Sequence, residues 1–117
     1  MPFSYIRYKG KKILFVDYTN CATIDAMLHL LDDVVREYKK STDKFLVVND
    51  FTNANASHEF VNFANKHKEL FDEKTEKTAV LGITGLKKLL LNGYNVFVKK
   101  KQVPFNTKEE ALEYLVS

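Results

Sequence analysis

Asp17 and Asp50 each end an apolar run, ILFVD and FLVVND, and are the carboxylates best placed for chemistry. Two carboxylates at the ends of neighbouring strands can split their pKa values and divide acid and base roles between them. Cys21 stands just beyond Asp17 and ahead of a helical pattern. A helix N-terminus lowers a thiol pKa; a small packing residue is the ordinary alternative. His29, His58 and His67 are the three histidines. His58 and His67 are separated by about 900° of helix and so lie on opposite faces; no metal site is expected from them. The chain lacks G-x-x-x-x-G-K-[ST], G-x-G-x-x-G and G-x-S-x-G, the spacings that cradle phosphate or expose a serine nucleophile. The turn Gly82-Ile83-Thr84-Gly85 is too short for a nucleotide loop. No cofactor is expected, and catalysis ranks last among the roles open to the chain.

The stretch FLVVNDFTNANASHEFVNF, residues 45–63, says where function would sit. A strand runs into a polar loop that feeds a helix N-terminus, the place where ligands and anions collect in α/β proteins. Asp50, Asn53, Asn55, Ser57 and His58 are its candidate switch or contact residues. Asp50 could anchor a ligand or close an Asx turn, which the composition of TNANAS favours. Ser57 could carry a phosphate, whose charge of roughly −1.5 to −2 would sit beside free helix N–H groups. It could equally be a plain N-cap contributing about 1 kcal/mol.

The elements that must position these residues follow from periodicity. Residues 4–8 and 12–18 flank Lys9-Gly10-Lys11, a link of hairpin length. A helix is expected over 23–40, with Thr23 as N-cap and Ile24, Met27, Leu28, Leu31, Val35 and Tyr38 recurring at helical spacing. The third strand covers 45–48, extending to 50 at most. A second helix begins near Ser57, with Phe60, Phe63, Ala64, His67 and Phe71 on one face. The fourth strand is 78–83. Residues 86–101 fit a helical stripe through Leu86, Leu89, Leu90, Gly93, Tyr94 and Phe97, although 94–98 also has strand propensity. Glycine weakens an exposed helix by about 1 kcal/mol relative to alanine, so close packing is expected at Gly93. Tyr94 and Phe97 beside it are candidate walls of an apolar ligand pocket. A terminal strand at 103–105 contains Pro104, which suits an edge. Thr107 and Glu110 form a capping box for a last helix that turns Ala111, Leu112 and Leu115 inward. The fold class is α/β: a β-hairpin, then alternation, giving a mixed, mostly parallel sheet of about five strands with about four helices. One domain spans 1–117, with no internal repeats.

Composition narrows the partners. With 45% hydrophobic and 28% charged residues the chain reads as an ordinary globular protein. Its net charge of +3 is spread over separate lysine groups, at Lys9, Lys11 and Lys12, at Lys87 and Lys88, and at 99–101. No nucleic-acid partner is expected, since such binders carry a basic stripe. The 99–101 run reads as cations at a helix C-terminus, with a phosphate-binding patch as the alternative. The single cysteine excludes an internal disulfide and suits a reducing compartment. No apolar run is long enough to span a bilayer and no leader pattern opens the chain, so a cytoplasmic location is expected.

This order of elements resembles the STAS-like fold of the anti-sigma-factor antagonists, and more closely the SpoIIAA-like (STAS/SEC14-like) family of small bacterial proteins. The stretches ILFVDYTNC, FLVVNDFTN, KTAVLGITGLKKLLL and FNTKEEALEYL carry the resemblance across nearly the whole chain. It implies a non-catalytic interaction or regulatory module that works on a protein partner, a second copy included as a homodimer, through the loop between the third strand and the second helix. The antagonists carry a phosphorylatable serine where that helix starts, usually after aspartate. Ser57 is the serine near that position here; it follows Ala56 and lies closer to Asp50 than the family pattern implies. The SEC14-like side of the resemblance implies an alternative, a carrier or sensor of a small apolar or anionic, lipid-like ligand, with Gly93, Tyr94 and Phe97 at its pocket.

Overall fold

Phe45 and Val47 point to one side of their strand and Leu46 and Val48 to the other, and all four are buried. A strand apolar on both faces needs cover on both sides. The computed structural model, which describes residues 2–55 and 57–117, shows that cover; Met1 and Ala56 lie outside the described residues. β1 (Phe3–Tyr8), β2 (Lys11–Asp17), β3 (Phe45–Asp50), β4 (Thr75–Leu81) and β5 (Gln102–Phe105) form one sheet in chain order. β1 pairs antiparallel with β2, Phe3 opposite Val16, and every later neighbour is parallel. The described helices are α1 (Ile24–Lys40), α2 (His58–Lys66), α3 (Lys68–Lys74), α4 (Leu86–Phe97) and α5 (Lys108–Val116).

Right-handed crossovers that step the same way along a sheet place their helices on one face. α1 accordingly sets Met27, Leu30, Val34 and Tyr38 on Leu14, Val16, Phe45 and Val47. Ala64 of α2 and Tyr94 of α4 pack with Leu31 and Val98 in an outer layer. The opposite face is left to α5, which lays Ala111, Leu112 and Leu115 over Ile13, Leu46, Val48, Ala79 and Leu81.

The ends are capped where the sequence predicts. Thr23 Oγ1 accepts from the Ala26 amide at 3.1 Å, and Thr107 Oγ1 accepts from the Glu110 amide at 3.2 Å. The Glu110 carboxylate accepts from the Thr107 hydroxyl at 3.1 Å, where a full capping box would engage the backbone amide. Lys74 Nζ donates to the carbonyl oxygens of Tyr38 and Ser41 at 2.9 and 2.8 Å, a cation on the carbonyl end of α1.

Four expectations change. The second helix breaks at His67 (φ −111°, ψ 14°), so the helices number five among the described residues. The break lets Phe71 meet the Tyr38 ring edge-on at 5.0 Å. β4 begins at Thr75, whose Oγ1 shares a 2.8 Å hydrogen bond with the buried Tyr38 hydroxyl, and a register shift follows between Phe45 and Leu46. α4 ends at Phe97, which leaves Lys99, Lys100 and Lys101 beyond it. Lys101 still reaches back to the carbonyls of Asn95 and Val98 at 2.8 and 3.0 Å. Gly93 is exposed, with open space where a Cβ would stand, so close packing is not what it serves. Pro104 lies on the edge strand β5, as expected.

Candidate functional site

β2 and β3 end on the same edge of the sheet with Asp17 and Asp50 as register partners. Beyond them the chain repeats itself: Asp17-Tyr18-Thr19-Asn20 and Asp50-Phe51-Thr52-Asn53. The expectation of no internal repeat missed these four-residue copies. In each, the aspartate Oδ1 accepts from the backbone amide of the threonine two residues on, at 2.8 Å for Thr19 and 3.0 Å for Thr52, and from the hydroxyl of that threonine. This is the Asx turn that short polar side chains favour. Each turn also continues the ladder sideways, with the Tyr18 amide donating to the Asp50 carbonyl at 3.0 Å and the Phe51 amide to the Leu81 carbonyl at 2.9 Å.

The aromatic residue between aspartate and threonine points inward in both copies. Tyr18 and Phe51 stack at 4.7 Å between ring centroids, and Phe60 of α2 meets both edge-on at 5.3 and 5.6 Å. Aromatic pairs in these geometries contribute about 0.5–1.5 kcal/mol beyond their buried area. The cluster fastens the loop after β3 to the helix that follows it. Two further contacts tighten it. Gly82, at φ +75°, lies so near Thr52 that an added Cβ would fall 2.5 Å from the Thr52 Cα. Lys87 Nζ, from the first turn of α4, donates to the Phe51 carbonyl at 3.0 Å.

On this frame Thr52, Asn53, Asn55 and His58 are exposed. Asn53 takes a left-handed conformation (φ 65°), which asparagine tolerates better than most residues. Ser57 is different: it is 8% exposed, and its Oγ accepts from the Phe60 amide at 3.2 Å as the N-cap of α2. Asp50 is half-buried, and its Oδ1 is engaged by its own turn.

Beside the loop a cavity of about 70 Å³ opens between α2 and α4. Phe60, Val61 and Ala64 form one wall and Leu90, Leu91 and Tyr94 the other, with Asn55, Ser57, Lys87 and Gln102 as polar lining. A second cavity of about 40 Å³ shares Phe51, Phe60, Ala64, Tyr94 and Gln102 and runs toward Tyr38. Burial and the Asp72 carboxylate push the Tyr94 phenol up to about 12, against a hydrogen bond with Gln102 that lowers it. Of the three residues expected at a pocket, Tyr94 lines it; Phe97 is 65% exposed on the outer side of α4 and Gly93 is exposed, and neither lines it. A helical stripe cannot tell which of two apolar faces is covered, and α4 has two.

The catalytic possibilities do not assemble. Neither Asp17, Asp50 nor Cys21 lines either cavity. Burial and then Asp17 raise the Cys21 thiol pKa, the opposite of an activated thiol. His29 is exposed, His67 packs on Phe63 at 5.2 Å, and no group of three metal-binding side chains occurs among the described residues. Sequence reasoning places Phe60 only on an apolar helix face and Lys87 only in a lysine group, and it passes over Phe51. The doubled D-[YF]-T-N would have pointed to Phe51.

No protein-family model matches this chain, and no curated protein matches it. Among solved structures it is similar over 97% of its length, and 91% of the other chain, to an uncharacterized protein of the DUF3478 family with a SpoIIAA-like fold from Shewanella loihica PV-4, at TM-score 0.64 and 18% identity. It is similar over 98% of both chains to an anti-sigma-factor antagonist (STAS) domain protein from Planctomyces limnophilus, at TM-score 0.66 and 10% identity. The class is thereby defined: this is a SpoIIAA-like, STAS-type α/β fold, with a mixed five-stranded sheet. No described helix is long and apolar enough to cross a membrane.

Proposed function

We propose that the protein is a non-catalytic interaction module of a bacterial cytoplasm that binds a protein partner through the loop between β3 and α2. One observation carries this reading. The loop is over-determined from below, by the Asp50 turn, the Tyr18–Phe51–Phe60 cluster, Gly82 and Lys87, yet it presents Thr52, Asn53, Asn55 and His58 to solvent. A rigid surface loses little freedom on binding, so preorganisation favours recognition. Ser57 supports the surface as its cap, its Oγ accepting from the Phe60 amide at 3.2 Å. A second copy of the chain belongs among the candidate partners.

The test substitutes exposed residues, which leave the frame intact. Asn55→Arg with His58→Glu is expected to abolish recovery of the wild-type partner and to leave the thermal transition unchanged, since both positions are exposed and neither has a left-handed backbone. Recovery equal to wild type, with light scattering also unchanged, would sink the reading.

The cavity favours a second reading, a carrier or sensor of a small ligand with apolar and anionic parts. Tyr94, Leu90 and Phe60 suit the apolar part and Lys87 the anionic part. The volume of about 70 Å³ is well below the roughly 300–1,000 Å³ of drug-sized pockets, so the ligand is small unless α4 moves outward. Native mass spectrometry of freshly purified protein should then show a bound mass that denaturation removes. A bare protein mass argues against it.

A further inference from the structure

We propose that the outer face of α4 docks on an anionic lipid surface. At 100° per residue, Leu86, Leu89, Gly93, Val96 and Phe97 fall in one stripe about 100° wide. The four large side chains are 56%, 68%, 73% and 65% exposed, while Tyr94 and Val98 on the other side of the turn are buried. None of the four lines either cavity. Scattered exposed apolar residues are ordinary, whereas a contiguous stripe marks a contact surface.

Charge identifies the occupant. Residues 84–101 hold five lysines and no acid, against +3 for the whole chain, so the remainder carries −2. Lys87 and Lys88 stand at one end of α4 and Lys99, Lys100 and Lys101 just past the other, about 18 Å of helix apart. Folding thus joins lysines that looked scattered in the sequence. Lys87 and Lys101 are engaged by backbone carbonyls, and Lys88, Lys99 and Lys100 are exposed. Lys68 of α3 adds a cation 6.0 Å above the Phe97 ring. The nearby Asp72 carboxylate is taken by the backbone amides of Lys99 and Lys100.

A convex apolar stripe with cations at both ends is the pattern of a helix that lies in the interface of an anionic bilayer. Pairing with a second copy through this face would set lysine against lysine. A protein partner would have to bring a groove for the helix, and that is an outcome the test reads.

The test is flotation with vesicles of phosphatidylcholine alone and of phosphatidylcholine mixed with phosphatidylglycerol. Wild-type protein is expected to float with the mixed vesicles alone and to be released by added salt. Leu89→Ser with Phe97→Ser should abolish flotation while circular dichroism and the thermal transition stay as in wild type. Lys88→Gln, Lys99→Gln and Lys100→Gln should each weaken it by roughly fivefold. Wild-type protein that stays at the bottom of the gradient overturns the proposal, as does equal flotation with neutral vesicles. Retained flotation of the double serine variant overturns it too, because lysine attraction without α4 would then suffice. Absence of flotation together with a protein partner lost in the same double variant reassigns the face to that partner.

Discussion

Asp17 and Asp50 are register partners on adjacent parallel strands, and each is closed into the same turn by the threonine two residues on. A pairing that suggested shared acid–base chemistry is instead a repeated device for turning the chain at the sheet edge. Both carboxylates are spent on local bonds, and the aromatic residue inside each turn does the packing.

Gly82→Ala should destabilise the fold far more than Gly10→Ala. Both glycines have positive φ, but a Cβ at Gly82 falls on the Thr52 backbone and one at Gly10 meets open space. The expected losses are about 1 kcal/mol at Gly10, from conformation alone, and about 3 kcal/mol or more at Gly82, where overpacking adds. Urea unfolding compares them; equal midpoints would mean the loop gives way freely.

Ser57→Ala should cost about 1 kcal/mol through the lost cap. Ser57→Glu should cost more, because the serine is 8% exposed and a carboxylate would be forced beside apolar walls. Should the glutamate variant unfold at the wild-type urea midpoint, Ser57 is not held as a buried cap in solution.

Lys87→Met should remove the bond to the Phe51 carbonyl and cost about 1–2 kcal/mol, with faster amide exchange at Thr52 and Asn53. Lys88→Met, one residue along and exposed, is the control and should stay within about 0.5 kcal/mol of wild type. Equal effects from the two would remove Lys87 from the loop's support.

Alkaline pH should weaken the fold through its buried tyrosines. Burial raises the phenol pKa values of Tyr18 and Tyr38, and that of Tyr94 reaches about 12. Groups with raised folded pKa values contribute fully below the unfolded value of about 10. Above it the unfolded chain ionises first, and stability falls by about 1.4 kcal/mol per pH unit for each such tyrosine. Tyr94→Phe should make the slope shallower between about pH 10 and 12. An unfolding free energy flat across that window would contradict the burial.

Much of the fold was legible because period and capping agree within single elements. The continuous runs in β2 and β3 announced strands covered on both faces, and Thr23, Ser57 and Thr107 announced helix starts. What stayed hidden depends on neighbours. No glycine or proline marks the break at His67; its geometry serves the meeting of Phe71 with Tyr38. α4 is apolar on two sides, so Phe97 looked as suited to the interior as Tyr94. The site showed in outline, as a loop and helix start, but Lys87 is 36 residues from the carbonyl it grips, a distance no local pattern reports.

The one-way march of strands β1 to β5 has a consequence for biosynthesis. Every strand emerging from the ribosome joins an edge already made, so the sheet can grow in step with translation. Its other face has no such order: Leu46, Val48 and Leu81 wait uncovered until α5 arrives, after all five strands. A nascent chain halted before Lys108 should therefore be sticky, and ribosome-bound chains of that length should recruit chaperone until the α5 residues are added. Chaperone occupancy that ignores the arrival of α5 would mean the open face is shielded some other way.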